Sequence, residues 1–296
     1  MSSFSNKKAL RFVITLGTGE QITLQGLRAS VTISKAGGVQ MNTMQAKIYG
    51  VSQSNMNAAT SLQFQADTIK RTSISVFAID GPQESLVFTG NIGNCWANYA
   101  SMPDVYLDIQ AFAGLINQLA GVPPTSLQGA VDTATVMGSL AKTMGYVFEN
   151  NGVAVTLRSP YLPGTAWEQA QALAQQANCV IYLDDNVLAI TPAGGARTGK
   201  SIPEISSSTG LVGYPSIGGD NRGPTINFQT LFNPAIRFGG QIHLTTSTQT
   251  AINKVLPRAN GDWTVNSLSH LLQSETPGGA WFSTASCGLL GQVIIK

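Results

Sequence analysis

The run Gly194-Gly195-Ala196-Arg197-Thr198-Gly199-Lys200-Ser201 matches G-x-x-x-x-G-K-[ST], a spacing that lets backbone amides and a lysine cradle the phosphates of a nucleotide. Just upstream, Val180-Ile181-Tyr182-Leu183-Asp184-Asp185 offers an apolar strand ending in the kind of acid that holds magnesium. Such a loop works only at the N-terminus of a helix, where the helix dipole and free N–H groups meet the anion. Here Ile202-Pro203 follows, then Ser206-Ser207-Ser208-Thr209-Gly210, with no helical periodicity and poor helix propensity. The acid also precedes the loop in what reads as one hairpin, whereas nucleotide folds bring it from a later strand. The residues favour a glycine-rich loop leaving a domain.

Other chemistry fares no better. Glu149 with Asp184 or Asp185 could form the carboxylate pair of a glycosidase, but all three are expected at hairpin ends beside turn residues, where solvated carboxylates are routine. His243 and His270 are the only histidines, each within a strand pattern and without His, Cys or Glu at ligand spacing, so zinc is not expected. A serine hydrolase would show a Gly-x-Ser-x-Gly elbow, and there is none. Cys95, Cys179 and Cys287 are odd in number and far apart, which fits three buried thiols in a reducing compartment. No catalytic residue, metal or cofactor is assigned, and the chain is not expected to be an enzyme.

Composition points to assembly. Only 11% of the 296 residues are charged, 43% are hydrophobic, and mean hydropathy is +0.09; an ordinary soluble protein carries roughly 25% charge. A surface of neutral polar groups is less costly to desolvate than one of unpaired charges, which suits a subunit that buries its surface against neighbours. A weakly charged secreted β-protein would share that composition. The net charge of +2 comes without a basic run, which argues against a nucleic-acid footprint. Residues 1–8 lack the apolar core of a signal peptide, and no run of about 18 apolar residues would span a membrane. Assembly in a cytoplasm is expected.

The elements divide into three stretches. Residues 1–118 alternate with period two: Leu27, Val31 and Ile33 share a parity, as do Val105, Leu107, Ile109 and Ala111. Further strands are expected at 11–16, 45–51, 73–79 and 86–93, with a short helix over 54–62. Residues 119–200 change character. Val136, Met137, Leu140, Ala141 and Met144 recur at helical spacing and stop at Gly145; a hairpin is expected over 146–149 and 153–157. Thr165 and Glu168 have capping-box spacing ahead of Trp167, Ala170, Leu173, Ala174 and Ala177, and a second hairpin turns at Asp185-Asn186. In 201–296 strands return: Ile236, Phe238, Gly240, Ile242 and Leu244 share one parity, and Trp281, Ser283, Ala285 and Cys287 another, with turns at 260–262 and 277–279. The expected fold is mainly β (α+β): two β-barrel domains, 1–118 and 201–296, separated by a small α/β domain, 119–200, made of two helix–hairpin units.

One ordered set of residues remains. Gly210 and Pro215 are followed by Leu231, Asn233-Pro234, Gly239-Gly240, Trp263, His270 and Trp281, preceded by Asn151-Gly152-Val153 and Pro160 to Thr165. This order resembles the bacteriophage tail hub (baseplate hub) proteins, which join a tail tube to the central spike. The resemblance implies turn and packing duties for these residues. It also implies a structural virion protein: a homotrimer whose two barrels per chain make a ring of six, assembled in the host cytoplasm. Its partners would be the tail tube protein, the spike, other baseplate proteins, and DNA or a tape-measure segment in the channel. The alternatives are a tube-initiating adaptor and a tail-associated cell-wall hydrolase. The chain is shorter than larger hub proteins, which implies that an outer decorating domain is missing.

Overall fold

Period-two alternation in the first third of the chain becomes strands, the first five of which bury every second side chain. These are β1 (Lys8–Thr15), β2 (Gln21–Gln25), β3 (Ala29–Ala36), β4 (Thr43–Tyr49) and β5 (Ser73–Asp80). β6 (Gln83–Asn98) and β7 (Tyr106–Phe112) complete the set, and α1 (Gln53–Ala59), capped by Ser52, lies between β4 and β5. The computed structural model describes residues 8–36, 41–60, 72–100, 102–199, 201–220, 223–246 and 260–291. The end of the helix expected over 54–62 lies outside the described residues, as does Lys200.

The middle stretch holds α2 (Leu115–Leu119), α3 (Thr133–Thr143) and α4 (Ala166–Gln176). Its strands are β8 (Thr125–Ser126), β9 (Ala130–Asp132), β10 (Val147–Asn150), β11 (Thr156–Arg158), β12 (Tyr161–Leu162), β13 (Cys179–Asp184) and β14 (Val187–Pro192). Capping geometry decides where α4 begins: Glu168 N–H donates to Thr165 Oγ1 at 3.2 Å, and Thr165 N–H to Glu168 Oε2 at 2.8 Å. The apolar faces expected on α3 and α4 are the buried ones. Only one of the two expected hairpins forms. β13 and β14 pair around Asp185, which takes a left-handed φ of 54°. β10 instead runs parallel to β14, and β11 pairs with β9. Asn150 is the reason: its side chain accepts from Val153 N–H and donates to Val153 O, closing a local turn that takes the chain out of the sheet.

Strands return as β15 (Glu204–Ile205), β16 (Leu211–Asp220), β17 (Gly223–Leu231), β18 (Gln241–Leu244), β19 (Gly261–Ser274) and β20 (Trp281–Leu289). The parity expected over 236–244 holds for burial, but only 241–244 is strand; Ile236 and Phe238 reach the core from turns that Asn233 O and Arg237 O close. The expected turn at 260–262 is not one either: Gly261 and Asp262 already lie in β19, opposite β18. Asn260 instead holds Thr246 by three hydrogen bonds across the connection.

The first and last stretches share one 13-stranded sheet in the order β16-β17-β20-β19-β3-β4-β7-β6-β5-β1-β2, with β18 and β15 on a branch from β19. Two separate cylinders were expected; among the described residues the strands form an open path joined through β3 and β19. Within this sheet one five-strand plan occurs twice. β3-β4 is a pair, and the meander β5-β6-β7 folds back so that β7 lies beside β4. β16-β17 is likewise a pair, and β18-β19-β20 folds back so that β20 lies beside β17. Every pairing in both units is antiparallel. Both long strands carry a one-residue bulge against the last strand, at Gly93 in β6 and at Asn266 in β19.

One apolar core runs from the first unit into α3 and α4, and a second, around Trp263, Phe228 and Ile242, fills the last unit. Among the described residues the small sheet β10-β14-β13 shares no ladder with the large one.

Candidate functional site

Where the three stretches meet, five charged side chains are buried or half-buried together. Lys35 comes from β3, Glu149 from β10, Asp184 and Asp185 from the end of β13, and Arg197 from the loop after β14. The strand pattern forces Lys35 inward, because it shares the parity of Val31 and Ile33. Its Nζ lies 2.7 Å from Asp184 Oδ1 and 3.0 Å from Asp185 Oδ2. Arg197 gives Nη1 to Asp184 Oδ2 at 2.7 Å and to Phe238 O at 3.0 Å. Its Nε and Nη2 hold both oxygens of Glu149 at 3.1 and 3.0 Å. Asn151 extends the network, donating to Glu149 Oε1 and accepting from Thr198 N–H and Oγ1–H.

Electrostatics follow from this geometry. Burial works against the charged forms, yet Asp184 and Asp185 hold Lys35 above its ordinary pKa, and Lys35 and Arg197 hold Asp184 below its own. Burial likewise opposes ionisation of Glu149, and its hydrogen bonds from Arg197 and Asn151 outweigh that and lower it. Asp185 is raised, by burial first and by repulsion from Asp184, so the cluster resists a third full negative charge.

A cavity of about 220 Å³ opens here, lined by Lys35, Asp185, Arg197, Pro234, Arg237 and His270 among others. It is smaller than an ordinary ligand pocket, and the inward-facing charges already neutralise one another. Glu149 and Asp184 both accept from Arg197, so neither is placed as the acid or nucleophile of a glycosidase. They were expected as solvated hairpin ends. The structure corrects this, because Lys35 and Arg197 arrive from other stretches to pair with them. The phosphate-loop motif is also spent: Arg197 is an ion-pair partner, its N–H donates to Gly239 O, and the next regular elements are β15 and a 3-10 turn at Ser207–Thr209, not an α-helix. No group of His, Cys, Asp and Glu among the described residues has metal-site geometry. Cys95 and Cys287 are buried, Cys179 is half-buried, and all three are free.

The ten motif residues are spread over this junction, the second core, and β16 with its edge against β17. Gly210 takes φ 100° and its O accepts from Leu231 N–H and Thr230 Oγ1–H, so Gly210 and Leu231 meet at the edge of β16 and β17. Pro215 is buried in the β16 irregularity. Asn233 caps the following turn through Ala235 N–H, and Pro234 is exposed at the cavity. Gly239, at φ 76°, lies so near Tyr182 that a Cβ would sit 2.6 Å from its ring; Gly240 makes an isolated bridge with Arg197. His270 Nδ1 pairs with Ser283 Oγ at 2.8 Å, and Phe232 stacks edge-on against both His270 and Trp281. Burial, with Lys35 adding repulsion, pushes the His270 pKa down to about 3, so the ring is neutral. Trp263 is fully buried in the second core, away from the junction. Sequence reasoning missed Lys35, whose only signal was a charge in phase with a buried strand face.

The fold is that of tail proteins. The tail protein from Neisseria meningitidis MC58 is similar over 96% of this chain and 98% of its own, with TM-score 0.64 and 11% identity. The prophage MuSo2 43 kDa tail protein from Shewanella oneidensis follows, over 94% and 96%, with TM-score 0.62 and 9% identity. The E. coli c3393 protein, a type VI secretion component described as structurally similar to T4 tail proteins gp27 and gp5, matches over 88% of this chain and 73% of its own, with TM-score 0.57 and 6% identity. No curated protein sequence matches. Residues 9–286 match the family model baseplate hub gp41, and the chain belongs to that family. It is a structural tail baseplate component, from a family of structural proteins and not of enzymes.

Proposed function

We propose that the chain assembles as a homotrimeric hub that joins the tail tube to the central spike and lines the channel between them. Residues 1–118 and 201–296 form its two barrel-type ring domains, and 119–200 forms the α/β domain docked on them. The observation that carries this reading is the repeated five-strand plan. Two like units per chain let three chains present six similar faces to a sixfold tube while keeping threefold symmetry for a spike. Scarce charge supports it, since the faces of such a ring must shed water. DNA or a tape-measure segment would pass through the channel, and other baseplate proteins would pack outside. The ten motif residues serve as turn and packing positions in this scheme. Assembly takes place in the host cytoplasm. Native mass spectrometry of the full chain tests the reading: trimers are expected, and a stable hexamer as the only assembly would overturn it in favour of a tube-initiating adaptor.

A further inference from the structure

Within the two repeated units, two strand edges have no strand partner among the described residues, the outer edge of β16 and the side of β6 beyond Asn91 that faces away from β7. The repeat says what each edge accepts. Aligning the bulges at Gly93 and Asn266 puts Asn94, Gln110, Gln45 and Thr32 in one cross-strand row of the first unit. Ser267, Ser286, Asn227 and Ser216 form the corresponding row of the second. Strand β3 thus corresponds to β16, and β6 to β19, residue by residue. Inside the chain, β3 of the first unit already pairs with β19 of the second: Thr32 faces Leu271, Ile33 faces His270, Ser34 faces Ser269 and Lys35 faces Leu268. The same contact at the other end of the repeat needs β16 from the second unit and β6 from a first unit that belongs to another molecule.

We propose that β16 of one copy pairs antiparallel with β6 of the next, with Ser216 opposite Asn98, Ile217 opposite Ala97 and Gly218 opposite Trp96. This rests on the ring reading above and names the contact that would propagate it. The register passes a parity test that a one-residue slip would fail. Ile217 lies across from buried Ile226, and Ala97 across from buried Leu107, so both point to the core side. Gly218 and Trp96 share the opposite side, and the missing Cβ at Gly218 leaves room for the indole. Burial agrees. Ile33 and His270 are 0% and 3% exposed in the internal seam, whereas their counterparts Ile217 and Ala97 are only half-buried, and Tyr99 beside them is 48% exposed. An unprotected edge of this kind invites strand addition. The contact joins unlike surfaces, so repetition runs past a dimer and closes a ring where the rotation between copies allows it.

The experiment pairs Asn98→Cys with Ser216→Cys in the full chain and reads non-reducing gels beside native mass spectra. Disulfide-linked dimers and closed trimers are expected, absent from either single variant and much weaker for Ser216→Cys with Trp96→Cys. Ile217→Lys should convert trimers to monomers that keep the β-rich circular-dichroism spectrum of the folded chain, because β16 is an edge strand. Trimers without the 98–216 crosslink, or trimers that survive Ile217→Lys, would overturn the seam and leave the ring standing. A crosslinked ladder without a discrete trimer would support the seam and overturn the trimer. A monomer throughout would overturn both.

Discussion

The large sheet and the middle stretch are held in the same molecule by different physics. β3 and β19 are joined by a continuous backbone ladder over eight residue pairs, Ser267–Ser274 against Ala36–Ala29. Among the described residues the small sheet of the middle stretch meets the large one without a ladder. It relies on apolar contact under α3 and α4, on the Tyr182–Phe238 edge-to-face pair, on the single Arg197–Gly240 bridge and on the buried charges. The backbone bonds of a ladder do not titrate and tolerate most side-chain changes, so a pH response there must come from a buried side chain such as His270. An ionic clamp depends on its side chains throughout, since removing one partner strands a buried charge.

That contrast can be broken at several points. Trp263→Ala in the second core should cost about 3–5 kcal/mol through the cavity it leaves, seen as a lower denaturant midpoint for the whole chain. Arg197→Ala should cost a comparable ~3–5 kcal/mol by removing the ion-pair partner of Glu149 and leaving Asp184 with Lys35 alone, but selectively. Hydrogen exchange should rise across 146–198 while β3 and β19 stay protected, and equal loss of protection in both would refute the clamp. Gly239→Ala, which sets a methyl group against the Tyr182 ring at positive φ, should cost about 1–3 kcal/mol; an unchanged melting temperature would show that the contact is slack.

The pH response sharpens the same comparison. His270 lies at the internal seam with a folded pKa of about 3 against an ordinary 6.5. Its neutral form is favoured on folding, so the stability it contributes is complete above pH 6.5 and is lost as pH falls from 6.5 towards 3. The slope there approaches one proton, roughly 1.4 kcal/mol per pH unit. Asp184 and Glu149, with lowered pKa values, add losses only below the ordinary carboxylate range. Asp185, raised, works the other way and favours the folded state on protonation. Denaturation between pH 7 and 5 should therefore flatten in His270→Gln and keep its slope in Glu149→Gln. The smallest effect belongs to Thr165→Ala, which removes one cap of α4 at about 1 kcal/mol and should fray that helix alone.

The sequence by itself was enough for whatever depends on neighbours along the chain. Period-two burial in β3 and β7, the helical faces from Val136 to Ala141 and from Trp167 to Ala174, and the Thr165–Glu168 box all follow from spacing, because side-chain direction is set locally. The ordered motif from Gly210 to Trp281 carried the family. Tertiary structure alone decided which strands became neighbours. No local signal could say that Asn150 would steer Val153 out of a hairpin, that β3 would lie against β19 across more than two hundred residues, or that Lys35 would find Asp184. Such pairings depend on where distant segments are brought together, and a carboxylate at a hairpin end looks the same in sequence whether water or an arginine will meet it.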